Sequence, residues 1–348
     1  MDVVMKYKEH IRRKTLFGFV LLLILLLFSI YSLCVGTYTL SIDRVFNALI
    51  GNGDKHSNLV IWNVRLPRII AAIVVGTSLS VAGAVMQCIL RNPLASPYTI
   101  GLSQGAMFGA AFAITMLGFG GTESYGRIVV ENPYVVTIFA FLGALTGVFV
   151  ILLLARLKGF TPEAMILAGV AIGALFTAGT MLIQYFASEL QLAAIVYWTF
   201  GDLGRPLWRD NIVMTCVTIP TFLYFIYKRW DYNALESGEE TAKSLGVNTE
   251  KVRLIGMLVS SFAVSVCVAL VGIIGFVGLV CPHITRILIG GDYRHLISIS
   301  ALVGAILLLI SDTFARIVLS PIILPVGIIT SFMGAPMFIY LLIRLHKR

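Results

Sequence analysis

Charge is scarce in this chain. Asp, Glu, Lys and Arg make up 12% of its 348 residues, against 58% apolar residues. A water-soluble protein carries about 25% charged residues, and the mean hydropathy of +0.94 points the same way. A soluble enzyme is excluded, and one integral membrane domain remains. No GxxxxGK[ST] segment occurs, so the chain cannot cradle a nucleotide phosphate on such a loop. HExxH and GxSxG are missing too, which argues against a membrane protease or hydrolase. The five cysteines, Cys34, Cys88, Cys216, Cys267 and Cys281, form no CxxC pair. Neither a disulfide framework nor a zinc site is indicated. Cys281-Pro282-His283 reads as a structural helix break rather than a metal site. Neither a metal nor a cofactor is expected.

What charge there is has a sign and a place. The formal net charge is +9, but the basic residues flank apolar runs and form no stripe. That pattern fits membrane topology and excludes nucleic acid as a partner. A helix needs about 20 apolar residues to cross the hydrocarbon. At roughly 35 residues per span and loop, about ten crossings fit. They fall near residues 16–35, 65–90, 97–117, 134–154, 163–187, 209–227, 254–272, 274–289, 296–318 and 325–343. The first follows Lys6, Lys8, Arg12, Arg13 and Lys14 and shows no A-x-A cleavage site, so it reads as a retained helix. With both termini in the cytoplasm, 18 of the 26 Lys and Arg lie inside, as the positive-inside rule asks. Outer loops are expected near 36–64, 118–133 (with Glu123, Arg127 and Glu131) and 188–208. The expected fold is all-α, a single transmembrane domain over residues 1–348 in the cell membrane.

Glycine and hydroxyl residues recur at helical spacing. Gly101, Gly105 and Gly109 in span 3, and Gly143 and Gly147 in span 4, are rows that let helices approach closely. In span 5 the row is Gly169, Gly173, Thr177, Thr180 and Gln184. It reads either as a close helix contact or as the wall of a water-accessible path. Asp312 and Arg316, four apart in span 9, can pair; a structural pair is favoured over a proton relay. Ion-driven carriers show acidic residues at the midplane of several spans, and this chain shows few.

One long polar stretch interrupts the back two thirds of the chain, Arg229 to Arg253. Ser237 is expected to cap a short helix with Glu240 three residues on, a capping box. Gly246 sits where a left-handed stop belongs, and Asn248 or Thr249 can cap the next helix. The island reads as a docking element for a soluble motor, or more plainly as an ordered loop.

Several long motifs then converge. Arg-Leu-Pro-Arg (65–68), GTSLSVAGAVMQCILRNPLASPYTIGLSQGA (76–106), GEETAKSLGV (238–247), GFVGLVCPHITRIL (275–288) and LPVGIITSFMGAPMFIYLL (324–342) occur in order. Together they resemble the iron-siderophore, haem and cobalamin permeases of type II ABC importers, over about residues 16–345. The resemblance implies ten helices per subunit and a homodimer in the lipid bilayer. It also implies two ATP-binding subunits below and an extracytoplasmic substrate-binding protein above. By that likeness residues 237–252 become coupling helices, with Ser237, Gly238, Glu239, Glu240, Leu245 and Gly246 meeting the ATPase. Arg65, Arg68 and Arg316 become exposed outer guanidiniums that pair with acidic residues of the binding protein. Gly173, Thr177, Thr180 and Gln184 become the translocation path, and Thr161 and Pro162 the gate. Pro162 departs from the family's serine/threonine run, and Ile323 stands where the family commonly has glutamate. An ion-coupled carrier or channel independent of ATPase subunits is the alternative function.

Overall fold

In the computed structural model, residues 2–118, 121–124, 127–130 and 132–345 are described. Glu131, assigned above to an outer loop, lies outside them. The chain is a helical bundle: α1 (Asp2–Cys34), α2 (Ile42–Leu49), α3 (Lys55–Val60), α4 (Leu66–Ile89), α5 (Leu102–Met116), α6 (Pro133–Arg156), α7 (Pro162–Phe186), α8 (Glu189–Thr199), α9 (Trp208–Tyr227), α10 (Arg229–Glu236), α11 (Glu239–Ser244), α12 (Thr249–Val271), α13 (Val277–Ile289), α14 (Tyr293–Ile317) and α15 (Val326–Leu345). A hairpin of β1 (Gly121–Ser124) and β2 (Arg127–Val130) joins α5 to α6, with Gly121 opposite Val130.

Ten of these helices coincide with the ten expected crossings. Among the described residues, seven are long and apolar enough to span a bilayer, and α5, α13 and α15 are shorter apolar helices. The loops are richer than expected. The stretch 36–64 holds α2 and α3, and 188–208 holds α8. A signal for α8 was present: Ser188 accepts from the Gln191 amide while the Gln191 side chain accepts from the Ser188 amide, a capping box.

α4 is the axis. Nearly every residue from Pro67 to Ile89 is buried, and α9, α12, α13 and α14 pack around it. Its entry is widened to a π turn, Ile61–Arg65. Pro67 lacks an N–H and its ring clashes with the carbonyl four residues back, so the regular ladder cannot pass. Glycine permits the closest contacts. A Cβ on Gly83 would stand 1.7 Å from the Gly278 carbonyl oxygen, where α4 meets α13. The expected rows in α5 and α6 behave the same way: Gly105 faces Gly143, and Gly109 faces Phe139. In lipid such contacts replace the hydrophobic drive that water would supply.

α1 packs mainly on α14, and α7 on α5 and α6. Both leave long apolar faces exposed, including Leu22, Leu26 and Ile30 on α1 and Leu167, Leu175 and Leu182 on α7.

The bundle has two chemically distinct ends. One carries the island α10–α11, the start of α1 and the α13–α14 turn; Arg294 there reaches the Tyr7 hydroxyl at 3.0 Å. The other carries Arg65, Arg68, Arg205 and Arg316.

Candidate functional site

The island is two helices and a glycine hinge. The expected capping box is not formed. Ser237 ends α10 in helical conformation, and its hydroxyl donates to the Asn233 carbonyl at 3.1 Å. Ser237 still has helical backbone, so the cap position of the next helix falls one residue later. The cap position of α11 is taken by Gly238, at φ +123°, a backbone conformation that side chains disfavour. The stop at Gly246 is as expected, with φ +80°. Asn248, not Thr249, caps α12 by accepting from the Lys251 amide at 2.9 Å.

Glu239 pins the island. One carboxylate oxygen lies 2.7 Å from Nη2 of the buried Arg253 on α12, and the other lies 2.9 Å from Lys243 Nζ. The hydrogen bonds from Arg253 and then Lys243 hold its pKa down to about 2. Ala242 is buried beneath. The tip points the other way: Glu240 is exposed, and Leu245 is 68% exposed between polar neighbours.

Behind the tip, α10 is strapped to the body of the bundle. The Asn233 side chain accepts from the Tyr293 amide at 2.8 Å and donates to Asp292 at 3.0 Å, gripping the first turn of α14. Burial would raise the Asp292 carboxyl. The hydrogen bonds from Arg294 and Asn233 outweigh it and hold the group well below the usual carboxylate range. Glu236 pairs with Arg286 of α13. Arg286 donates to the Tyr293 hydroxyl at 2.9 Å, and that hydroxyl donates to the Ala84 carbonyl inside α4 at 3.2 Å. A continuous polar route thus runs from the island to the axis helix. The sequence reading missed Asn233, Arg286 and Tyr293, because their partners lie about 50 to 200 residues away.

The opposite end corrects an expectation. Arg65, Arg68 and Arg316 are not exposed; their side chains and backbone together are 4%, 6% and 5% accessible. Arg65 donates to the Leu33 and Tyr38 carbonyls, closing the end of α1 over the bundle. Arg68 donates through Nε to Asp312 at 2.7 Å and lies 3.3 Å from Asp202. Arg316 reaches the other Asp312 oxygen at 3.1 Å and the Ser32 and Val35 carbonyls. Each guanidinium is held by carbonyls or carboxylates of its own chain rather than standing in solvent. Among the described residues, the exposed guanidiniums at this end are Arg44 and Arg209. The Asp312–Arg316 pair forms as expected, and Arg68 joins it.

The row on α7 is divided. Gly173 and Thr180 are buried in the chain's own packing, and Thr177 and Gln184 are half-buried. A Cβ on Gly169 would stand 2.9 Å from the Ile100 Cα, and one on Gly173 would stand 3.3 Å from the Gly101 Cα. Thr177 and Thr180 return their hydroxyls to carbonyls one turn back. This side of α7 is a close helix contact; Ala171, Ala174 and Ala178 lie on its exposed face. Thr161 caps α7 by accepting from the Ala164 amide, and Pro162 follows at the first helical position. Both lie at the island end, since a Cβ on the neighbouring Gly159 would stand 3.5 Å from Glu250 at the start of α12.

The FecCD transport family matches residues 22–344. An ABC transporter permease protein of Methanocaldococcus jannaschii is 70% identical over the full length of both chains. A hemin transport system permease of Yersinia pestis is 35% identical, covering 97% of this chain and 98% of its own. A solved structure, a metal-chelate type ABC transporter in an inward-facing conformation, superimposes with a TM-score of 0.83. It is 32% identical, over 94% of this chain and 99% of that one.

Proposed function

The chain belongs to the FecCD transport family, and from that premise we propose that it carries a metal chelate, such as an iron-siderophore, haem or corrinoid, from an extracytoplasmic binding protein across the cell membrane. It is a multi-pass permease of the ABC-importer kind and not an enzyme; ATP hydrolysis belongs to separate subunits. The cargo class is supported by the relatives, one named for hemin and one for a metal chelate.

The island end faces the cytoplasm in this reading, which places both termini and most basic residues inside. The observation that carries the mechanism is the division of labour within the island. Glu239 and Asn233 tie it to α12 and α14, while Leu245 and Glu240 stand free at its tip. An exposed apolar side chain on an anchored helix is what a groove of a partner ATPase would seat. Two such subunits would hold the path between them. The exposed faces of α7 and α15, with Ala171, Ala174 and Phe332 among their residues, would line it beside Thr177 and Gln184. ATP-driven closure would push α11. The push would pass through Asn233 and the Glu236–Arg286–Tyr293 route into α14, α13 and α4, and the turn at Thr161 and Pro162 would move with them. The binding protein would meet the opposite end through Arg44 and Arg209, above the arginines that hold that end together.

The test is reconstitution with the cognate ATPase and binding protein. The double variant Glu240→Lys, Leu245→Asp is expected to insert normally and to lower ATP-coupled uptake at least about tenfold, the loss of one interface anchor. Unchanged uptake would refute the coupling role. Concentrative transport by the chain alone, without nucleotide, would instead favour an ion-coupled carrier.

A further inference from the structure

A groove of about 520 Å³ lies at the island end, between the start of α1 and the end of α13. Its rim is basic, with His10, Arg13 and Lys14, and its floor is apolar, with Phe17, Leu288 and Ile289. Neither the island nor the path uses it. Arg13 shares its charge with Glu9 one turn earlier, at 2.6 Å. Lys14 has no ion-pair or hydrogen-bond partner among the described residues, and its Nζ lies 4.0 Å from where a Cβ on Gly290 would stand. The amine therefore overhangs the last turn of α13 without bonding its carbonyls.

The depth of the groove identifies what it meets. α1 is 33 residues long, roughly 50 Å at the α-helical rise, against about 30 Å of hydrocarbon. The apolar run begins at Leu16, so Lys14 and Phe17 straddle the level where the helix leaves the lipid tails. Aromatics lie further out at the same end of the bundle: Arg294 stacks over Trp230 at 5.0 Å and bonds the Tyr7 hydroxyl. A cationic rim over an apolar floor at that depth complements a molecule with an anion at one end and hydrocarbon at the other.

We propose that this groove seats one anionic phospholipid. Its phosphate lies between Arg13 and Lys14, and its first methylenes lie on Phe17, Leu288 and Ile289. A free phosphate would leave that floor unused. The lipid would brace α1 against α13, a pair otherwise joined chiefly through α14.

The experiment is native mass spectrometry of the full-length chain in neutral detergent, offered phosphatidylglycerol and phosphatidylcholine in equal amounts. Phosphatidylglycerol should be retained about tenfold over phosphatidylcholine, as two cations near an anionic head group require. Arg13→Gln with Lys14→Gln should abolish the preference. Arg13→Lys with Lys14→Arg should keep it, which separates loss of charge from misfolding. Excess inorganic phosphate should leave the lipid bound. Equal retention of the two lipids, a preference that survives the glutamine pair, or displacement by phosphate alone would each overturn the assignment.

Discussion

The two ends of the bundle use the same side-chain chemistry under opposite conditions. At the island end most ion pairs are two-membered and half-exposed: Lys228 with Asp231, Glu236 with Arg286, and Asp292 with Arg294, while Glu239 is shared by Arg253 and Lys243. At the other end two buried arginines, Arg68 and Arg316, share two carboxylates, one of which, Asp312, is 0% exposed, and a third, Arg65, is held by backbone carbonyls. Water supports the first set and screens it, so its members are individually replaceable and open to a partner. Nothing supports the second set but itself. Each buried guanidinium there depends on Asp312, Asp202 or a backbone carbonyl at the end of α1. The contrast assigns adaptability to the island end and rigidity to the arginine end, an arrangement suited to a machine driven from one side.

The sharpest way to break this contrast is Asp312→Asn. It removes the charge that Arg68 and Arg316 share and leaves both buried. Uncompensated buried charges of this kind cost about 3–5 kcal/mol. The purified variant should unfold at a much lower temperature than the wild type, or fail to accumulate. Adding Arg68→Met and Arg316→Met should restore much of the loss, because an apolar replacement of a whole buried network is often neutral. A single Asp312→Asn variant of wild-type stability would mean that the arginine end is as wet as the island.

The same contrast explains what could be read from the chain alone. Seven of the ten helices were legible because each is an apolar run long enough to span, and α5, α13 and α15 as shorter apolar runs between breaks; the α5–α6 contact was legible because glycine recurs at one-turn spacing. The Asp312–Arg316 pair was legible because both partners sit on one helix. The arginine end was misjudged for a physical reason. A basic residue next to an apolar run looks exposed in one dimension, and burial of Arg68 depends on Asp202 and Asp312, far along the chain. The Thr177–Thr180 row carried two readings, and only the neighbouring backbones of Ile100 and Gly101 decide which side is packed. On the island, Ser237 met the capping rule, but the preceding helix runs on to it and the cap position shifts to Gly238.

A middle-sized effect sharpens the comparison at its wet end. Asn233→Ala removes both bonds that hold α10 to the start of α14. It leaves the Tyr293 amide, at a fully buried residue, without its side-chain partner. The expected cost is about 1–3 kcal/mol, smaller than at Asp312 because no charge is stranded. If Asn233 also transmits motion, uptake should fall more steeply than stability, with ATP hydrolysis continuing. Equal losses of stability and uptake would reduce Asn233 to a structural clip.

The smallest effect is the pH response of the island. Glu239 has a pKa lowered to about 2 by Arg253 and Lys243. It therefore binds its proton less readily in the folded protein than in the unfolded chain, where glutamate titrates near 4.3. A depressed carboxyl contributes stability that is complete above the unfolded value and is lost as pH falls through the folded one. The tie between α11 and α12 should thus persist from neutrality to about pH 4 and weaken progressively toward pH 2. Hydrogen exchange of the α11 amides is the measurement. Protection that holds to pH 4 in the wild type and is already reduced at pH 7 in Glu239→Gln is the expected pattern. A wild-type midpoint near pH 4.3 would show that the partners of Glu239 leave it as free as an ordinary surface carboxylate, and the island would then be looser than its contacts imply.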